Sequence, residues 1–421
     1  MRRLANSLCG IVILVVCCAL CTTAQTDSAR LPLKERVRVA AEIYSSVNTY
    51  FAHWRGVPGF DLEKEFGAYL DQILATDDRR SFDLASMEFI AKLHNGHSGF
   101  GDKWLRETYG QQLGFYAYPI DGAWVVARSS LPDLKPGDVI THIGDEKFED
   151  FFHDLRKYVS ASDERWQQRA FFEYPYLFPA SFSLTLEGGR KVSVTRRGEF
   201  QWPGEEHNSV SASEQDNVTY IRVPAFQPPE IEKAAVRALG NFTDAKAIIV
   251  DVRGNHGGST PSELTAKLMD RPYRWFAEST PASIGLFNYS GQLAAHSELH
   301  WYGEVEQPDK APYRGSVYIL ADGGCFSACE DFVEPFKDNH RATIVGERTA
   351  GSSGQPYSKD LGDGMRIGLS TKREFMPDGA EFEGVGIAPD VEVKMTADDL
   401  RRGNDPALER ARLLIREQLN K

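Results

Sequence analysis

Ala247-Ile248-Ile249-Val250-Asp251-Val252-Arg253-Gly254-Asn255-His256-Gly257-Gly258 is an unbroken apolar run that ends in a glycine-rich turn. A strand with one wet face alternates apolar and polar residues. A run with no polar residue before Asp251 therefore reads as a strand buried on both faces, as in a parallel sheet covered by helices. The neighbouring segments agree. Val218–Val223 reads as a strand and Ile231–Leu239 as a helix, followed by Ser262–Met269 as a helix, Val317–Ala321 as a second buried strand, Ala328–Phe336 as a helix and Ala342–Gly346 as a third strand. Strands alternating with helices over 217–421 predict an α/β core with a largely parallel sheet.

Upstream of this core the pattern is different. Residues 30–55 carry Val37, Ala40, Ala41, Ile43, Tyr44 and Val47 near helical spacing. Two further helical faces follow in 60–94, separated by Asp77 and Asp78, and end in Leu93-His94-Asn95-Gly96-His97-Ser98-Gly99. We assign 25–108 to an N-terminal helical segment. From about residue 111 the period shifts towards two. Leu113–Tyr118 and Ala123–Ala127 read as strands joined by an Asp121-Gly122 turn, Phe148–Val159 as a helix, and Phe182–Val194 as a closing pair of strands. The polar stretch 199–216 reads as a linker.

Hydrophobic residues make up 42% of the 421 and charged residues 26%, ordinary for a globular chain. The net charge of −12 argues against a nucleic-acid partner and against docking on an anionic membrane, because no basic surplus exists to meet phosphates. Of six cysteines, Cys9, Cys17, Cys18 and Cys21 lie in the first 21 residues, behind Arg2 and Arg3. The apolar run Leu8–Cys21 would span about 21 Å as a helix, short of a ~30 Å hydrocarbon core. With Thr22-Thr23-Ala24 after it, it reads as a signal peptide over 1–24, cleaved after Ala24. The expected location is periplasmic or extracellular.

Four segments bear chemistry. The Asp251–Gly258 turn could present backbone N–H groups to an anion, or simply turn the chain. In Ala321-Asp322-Gly323-Gly324-Cys325-Phe326-Ser327-Ala328-Cys329-Glu330, Ser327 stands at a helix start, where free N–H groups favour developing negative charge; a plain N-cap is the alternative. Cys325 and Cys329 flank it, either within reach of a disulfide or as two small buried hydrophobes. His97 sits in Asn95-Gly96-His97-Ser98, and nothing completes a metal set with it and His94. Glu383 sits in Phe382-Glu383-Gly384-Val385-Gly386-Ile387-Ala388-Pro389-Asp390.

Together with Val345-Gly346-Glu347-Arg348-Thr349-Ala350-Gly351, these segments resemble the tail-specific, or C-terminal-processing, serine protease family. The compact unit 109–198, with Leu134-Lys135-Pro136-Gly137-Asp138-Val139-Ile140, resembles a PDZ domain, a module that adds a peptide as a strand to a sheet edge. The resemblance implies a ClpP/crotonase-like catalytic core over 217–421, peptide or protein substrates, and no cofactor or metal, and it leaves a homo-oligomer open. It also points to a branch. The lysine base of the Ser–Lys branch would fall at Ser352, so the tricorn-type branch, with the retinoid-binding relatives, is the better match. That branch implies a triad of Ser327, His97 and Glu383, with Glu381 as an alternative orienting acid, and an oxyanion hole from Ala328 and either Gly257 or Gly258. A non-catalytic protein holding a hydrophobic ligand or peptide on the same fold is the competing expectation.

Overall fold

A computed structural model describes residues 29–198, 209–242, 244–282, 289–290, 297–302 and 305–420. The expected signal peptide and the first part of the expected linker, 199–208, lie outside these residues.

The N-terminal segment is helical, as its periodicity predicts, over Leu33–Tyr50, Leu62–Leu74 and Arg79–Ala91. Aspartates mark the starts. Asp61 accepts from the Lys64 N–H, and Asp78 from the Ser81 N–H at 2.8 Å, each satisfying an otherwise orphaned helix donor. After the third helix the chain turns through His97 into strand β1 (Gly99–Asp102). This strand pairs antiparallel with a strand near the other end of the sequence, Gly99 opposite Gly368.

Strands β2 (Phe115–Ile120), β3 (Ala123–Ser129), β4 (Val139–Ile143), β5 (Glu146–Lys147), β6 (Ser181–Leu186) and β7 (Lys191–Thr195) form a six-stranded sheet. The β2–β3 turn has Asp121 at φ 50° and Gly122 at φ 80°, the positive pair that a two-residue hairpin needs. Helices Phe148–Leu155 and Glu164–Ala170 lie between β5 and β6.

The second half holds β8 (Ser211–Gln215), β9 (Val218–Arg222), β10 (Ala247–Asp251), β11 (Ala277–Pro281), β12 (Glu298–Trp301), β13 (Ser316–Ala321), β14 (Ala342–Gly346), β15 (Pro356–Gly362), β16 (Met365–Ser370), β17 (Arg373–Phe375) and β18 (Val391–Glu392). The main sheet runs β18-β14-β13-β10-β9-β8, parallel except for the edge strand β8. That strand corrects the linker expectation. Ser211–Gln215 is exposed throughout, so no apolar alternation betrays it, yet its backbone pairs with β9.

β10 is buried along its whole length because helices cover both faces. Ile248 and Val250 pack with Leu239, Leu264 and Phe332 from the helices Pro229–Gly240, Ser262–Leu268 and Ala328–Asp338. Ala247 and Ile249 pack on the other side with Ala411 and Ile415 of the helix Pro406–Leu419. Two smaller sheets, β1-β16-β15 and β12-β11-β17, complete the arrangement. The first of them anchors the His97 turn.

Candidate active site

β13 ends at Ala321, and the chain turns through Gly323 and Gly324 to Ser327, the residue before the helix Ala328–Asp338. Ser327 has φ 58° and ψ −128°, a conformation that costs a non-glycine residue about 1–3 kcal/mol. Several contacts hold it there. Its N–H donates to the Ser352 carbonyl at 3.0 Å, and its carbonyl accepts from the Glu330 N–H at 2.6 Å. Gly257, at φ 90°, lies against it so closely that an added Cβ would come within 2.8 Å of Ser327 Cβ. Cys325 and Cys329 form a disulfide that brackets the turn, with Cα atoms 5.3 Å apart and both residues fully buried. The reading of two separate thiols is thus replaced by a bridge.

The N–H groups around Ser327 are of two kinds. That of Ala328, at the first helical position, is one of the orphan donors of a helix start. That of Gly257 is already engaged, donating to Asn255 Oδ1 at 2.8 Å. Of the two glycines expected to serve an oxyanion, Gly257 is the one that lies against Ser327 and the Ala328 N–H, whereas Gly258 lies against the backbone of Phe226.

His97 lies beside this turn with its ring stacked on Phe326, centroids 4.4 Å apart and planes 9° from parallel, and Phe326 stacks in turn on Trp166. Its Nδ1 is 3.1 Å from Ser352 Oγ, and the Ser352 hydroxyl donates to Glu383 Oε1 at 2.9 Å. Because that proton points at the carboxylate, Nδ1 is the protonated ring nitrogen and donates to Ser352 Oγ. Nε2 keeps its lone pair, buried and without a hydrogen-bond partner. Burial, with Lys372 nearby, lowers the imidazole pKa to about 3, so the ring is neutral at physiological pH. The Ser327 hydroxyl makes no hydrogen bond to His97 in this structure.

Glu383 is closely held. Its side chain is 6% exposed. Oε1 accepts from Asn95 Nδ2 at 2.9 Å and from Ser162 Oγ at 2.5 Å besides Ser352, and Oε2 accepts from the Ser353 N–H at 3.3 Å. Burial raises its pKa to about 7 against the pull of these donors. His53 Nδ1 stands 4.0 Å from Oε1, while its Nε2 bonds the Lys372 carbonyl at 2.9 Å. Glu381 faces elsewhere: it pairs with Arg373 at 2.6 Å and is about half exposed. A strand here would put the side chains of 381 and 383 on one face. The chain instead turns at Gly384 with φ 73°.

Sequence reading missed the residues that join these parts. Ser352 is the chief one, since its carbonyl holds Ser327 and its hydroxyl stands between His97 and Glu383. Glu330 is another. Its buried carboxylate accepts from Thr349 Oγ1 at 2.6 Å, the Gly351 N–H at 2.7 Å and the Ser352 N–H at 2.9 Å, fixing the loop that carries Ser352. Glu330 ends the Ala321–Glu330 segment and Ser352 directly follows Val345–Gly351, but nothing in their spacing assigned these contacts. Ser162 carried no signal at all.

Residues 217–393 match the family model of Peptidase family S41. A probable CtpA-like serine protease of Staphylococcus epidermidis is 27% identical over 188 residues, 44% of this chain and 35% of that protein. A carboxy-terminal-processing protease of Bartonella bacilliformis is 30% identical over 92 residues, 22% of this chain and 21% of that one. The matched stretches thus span about a third or less of these relatives' length. Among solved structures, mature CPAF aligns with TM-score 0.68 at 16% identity over 87% of this chain and 94% of its own. The photosystem II D1 C-terminal processing protease aligns with TM-score 0.53 at 19% identity over 86% and 94%. At these identities the structural likeness establishes a shared mixed α/β fold.

Proposed function

We propose that the protein is an exported serine peptidase of the C-terminal-processing kind, with Ser327 as nucleophile, His97 as general base and Glu383 as the acid that stabilises the imidazolium. The observation that carries this reading is the chain His97 Nδ1–Ser352 Oγ–Glu383, which leaves Nε2 as a buried lone pair beside the strained Ser327 turn. In the reaction His97 Nε2 takes the Ser327 proton as the hydroxyl attacks a peptide carbonyl, then returns it to the leaving amine. Closure of the Ser327–His97 contact accompanies substrate binding, since such contacts are often loose in a free enzyme. The positive charge on His97 is met by Glu383 through Ser352. The N–H groups of Ala328 and of Gly257 or Gly258 hold the oxyanion, an interaction worth about 3–4 kcal/mol per donor in a comparable protease.

The finer assignments belong to the same proposal. The triad follows the tricorn-type branch, the core is ClpP/crotonase-like, and 109–198 is PDZ-like. Export rests on the 1–24 segment. The test is labelling by a fluorophosphonate and hydrolysis of a denatured protein substrate. Both are expected for the native chain and abolished in Ser327→Ala. Unchanged turnover in that variant refutes the assignment.

A further inference from the structure

A third segment of the chain reaches both Glu383 and the His97 loop. Ser162 stands two residues before the helix Glu164–Ala170, apart from the segments that carry His97 and Glu383. Its hydroxyl proton goes to Glu383 Oε1 at 2.5 Å, and the same oxygen accepts the Gly96 N–H at 2.9 Å. Gly96 is the residue before His97, so this N–H moves with the imidazole. One oxygen thus ties Glu383 to the loop that carries His97, in a run of aligned donors that strengthen one another. The backbone of Ser162 lies against the same place: a Cβ added at Gly384, next to Glu383, would stand 3.0 Å from the Ser162 carbonyl oxygen.

Asn95 makes a parallel link from inside the His97 loop. Its Nδ2 donates to Glu383 Oε1, and its Oδ1 accepts the His97 N–H at 3.0 Å. The two links differ in what moves them. Asn95 travels with His97, whereas Ser162 is held by its own segment. Asp163 caps the following helix by accepting from the Trp166 N–H at 2.8 Å, and Trp166 stacks on Phe326 with planes 10° from parallel. The stretch 162–166 therefore braces Glu383, the His97 loop and the residue before Ser327 at once.

We propose that Ser162 is a positioning residue of the triad, holding Glu383 and the His97 loop in one geometry from a third segment of the chain. The inference rests on the serine-peptidase reading and deepens it. Ser162 acts through Glu383 rather than on substrate. Among the donors around Glu383 it pulls hardest towards the charged form against burial. The charged and titratable groups that also face Glu383 are His53, 4.0 Å away, His97 through Ser352, Arg373 and Glu330. A Ser162→Ala chain keeps all of these, so a change in the ionisation of Glu383 reports the lost hydroxyl.

The test is steady-state hydrolysis of a fluorogenic peptide from pH 5 to pH 9, with melting curves to show that each variant is folded. Ser162→Ala is expected to lower kcat about 10-fold with KM little changed, the loss of one hydrogen bond to a charged group. The acid limb of kcat/KM is expected to move up by about one pH unit, because Glu383 then gives up its proton less readily. In a Glu383→Gln background the same substitution should cost less than about twofold, since the residue through which Ser162 acts is already gone. Ser162→Thr keeps the hydroxyl and should recover most of the loss, which tests the bond without relying on the alanine variant to fold. An equal loss from Ser162→Ala in both backgrounds, or an acid limb that stays in place in the folded Ser162→Ala chain, overturns the positioning role alone. A native chain that neither takes a fluorophosphonate nor hydrolyses peptide in a Ser327-dependent way overturns the peptidase reading, and this inference with it.

Discussion

Replacing Ser352 by alanine removes one hydroxyl and nothing of the backbone frame. Its N–H still reaches Glu330, and its carbonyl still holds the Ser327 N–H. What goes is the acceptor for His97 Nδ1 at 3.1 Å and the donor to Glu383 at 2.9 Å. Glu383 retains Asn95, Ser162 and the Ser353 N–H, so it stays in place, whereas His97 loses both its tautomer lock and its route to the carboxylate. A hydrogen bond involving a charged group contributes about 1.5–3 kcal/mol, and the imidazolium exists only once Ser327 has given up its proton. The loss therefore falls on the transition state, and kcat should drop by about 10- to 150-fold. The Ser352 hydroxyl faces His97 and Glu383, so KM should change little. The assay is steady-state hydrolysis of a fluorogenic peptide, with a melting curve to show that the variant is folded. Unchanged kcat in a folded Ser352→Ala protein would refute the relay, as would a loss explained entirely by the unfolded fraction.

Other expectations follow from the same contacts. Glu383→Gln should reduce kcat at least as strongly as Ser352→Ala, while Glu381→Gln, which removes a half-exposed carboxylate paired with buried Arg373 and outside the His97–Ser352–Glu383 chain, should leave it within about twofold; equal losses would reverse the assignment of the orienting acid. Glu383 has its folded-state pKa raised to about 7, so it must lose a proton before it can face an imidazolium, and kcat/KM should rise as pH increases through 7. Stability should move the other way. A carboxyl whose pKa is raised on folding holds its proton more tightly when folded, so Glu383, with Glu374 at about 8, favours the fold at acid pH, and that contribution is lost as pH rises from 4.5 towards 8. His97, held neutral, pulls the other way up to about pH 6.5, so the comparison is with Glu383→Gln: a stability difference between the native chain and that variant that grows in favour of the native chain from pH 5 to pH 8 would contradict this. Finally, replacing Cys325 and Cys329 together by serine should lower stability by about 2 kcal/mol, and kcat with it, because the bridge clamps both sides of Ser327; a thiol assay of the unfolded, unreduced native protein should find neither residue free.

The core was legible because burial on two faces leaves a mark in the sequence. Ile248, Ile249 and Val250 have no polar neighbour, and the structure puts helices on both sides of them. Asp78 announced a helix start, and Asp121-Gly122 a hairpin, through local chemistry alone. Elements held by backbone pairing at long range left no such mark. β1 is recognised only by its contact with β16, more than 250 residues away, and β8 is polar along its length. The site divides in the same way. Ser327, His97 and Glu383 lie in dense local motifs, whereas the serines around Glu383 come from two unrelated segments, at 162 and 352, that meet only in the folded chain.

The position of Ser352 connects these observations. A residue that holds the Ser327 N–H with its carbonyl and His97 with its hydroxyl makes the geometry of Ser327 and that of His97 one variable rather than two. The hub is itself fixed from the helix that follows Ser327, because Glu330, three residues after Ser327, binds the Gly351 and Ser352 N–H groups. The ring of contacts Ser327–Ser352–Glu330 is thus closed, and the unfavourable φ of Ser327 is sustained by it together with the Cys325–Cys329 bridge. A lysine at 352, as the Ser–Lys branch would have it, could keep both backbone bonds and place its amine towards Ser327. The serine keeps the same backbone bonds, and on the proposed mechanism the base role falls to His97. On this argument Ser352→Lys should retain the fold while disconnecting His97 from Glu383. Any activity it shows should then survive His97→Ala, a dependence that the native enzyme must not share.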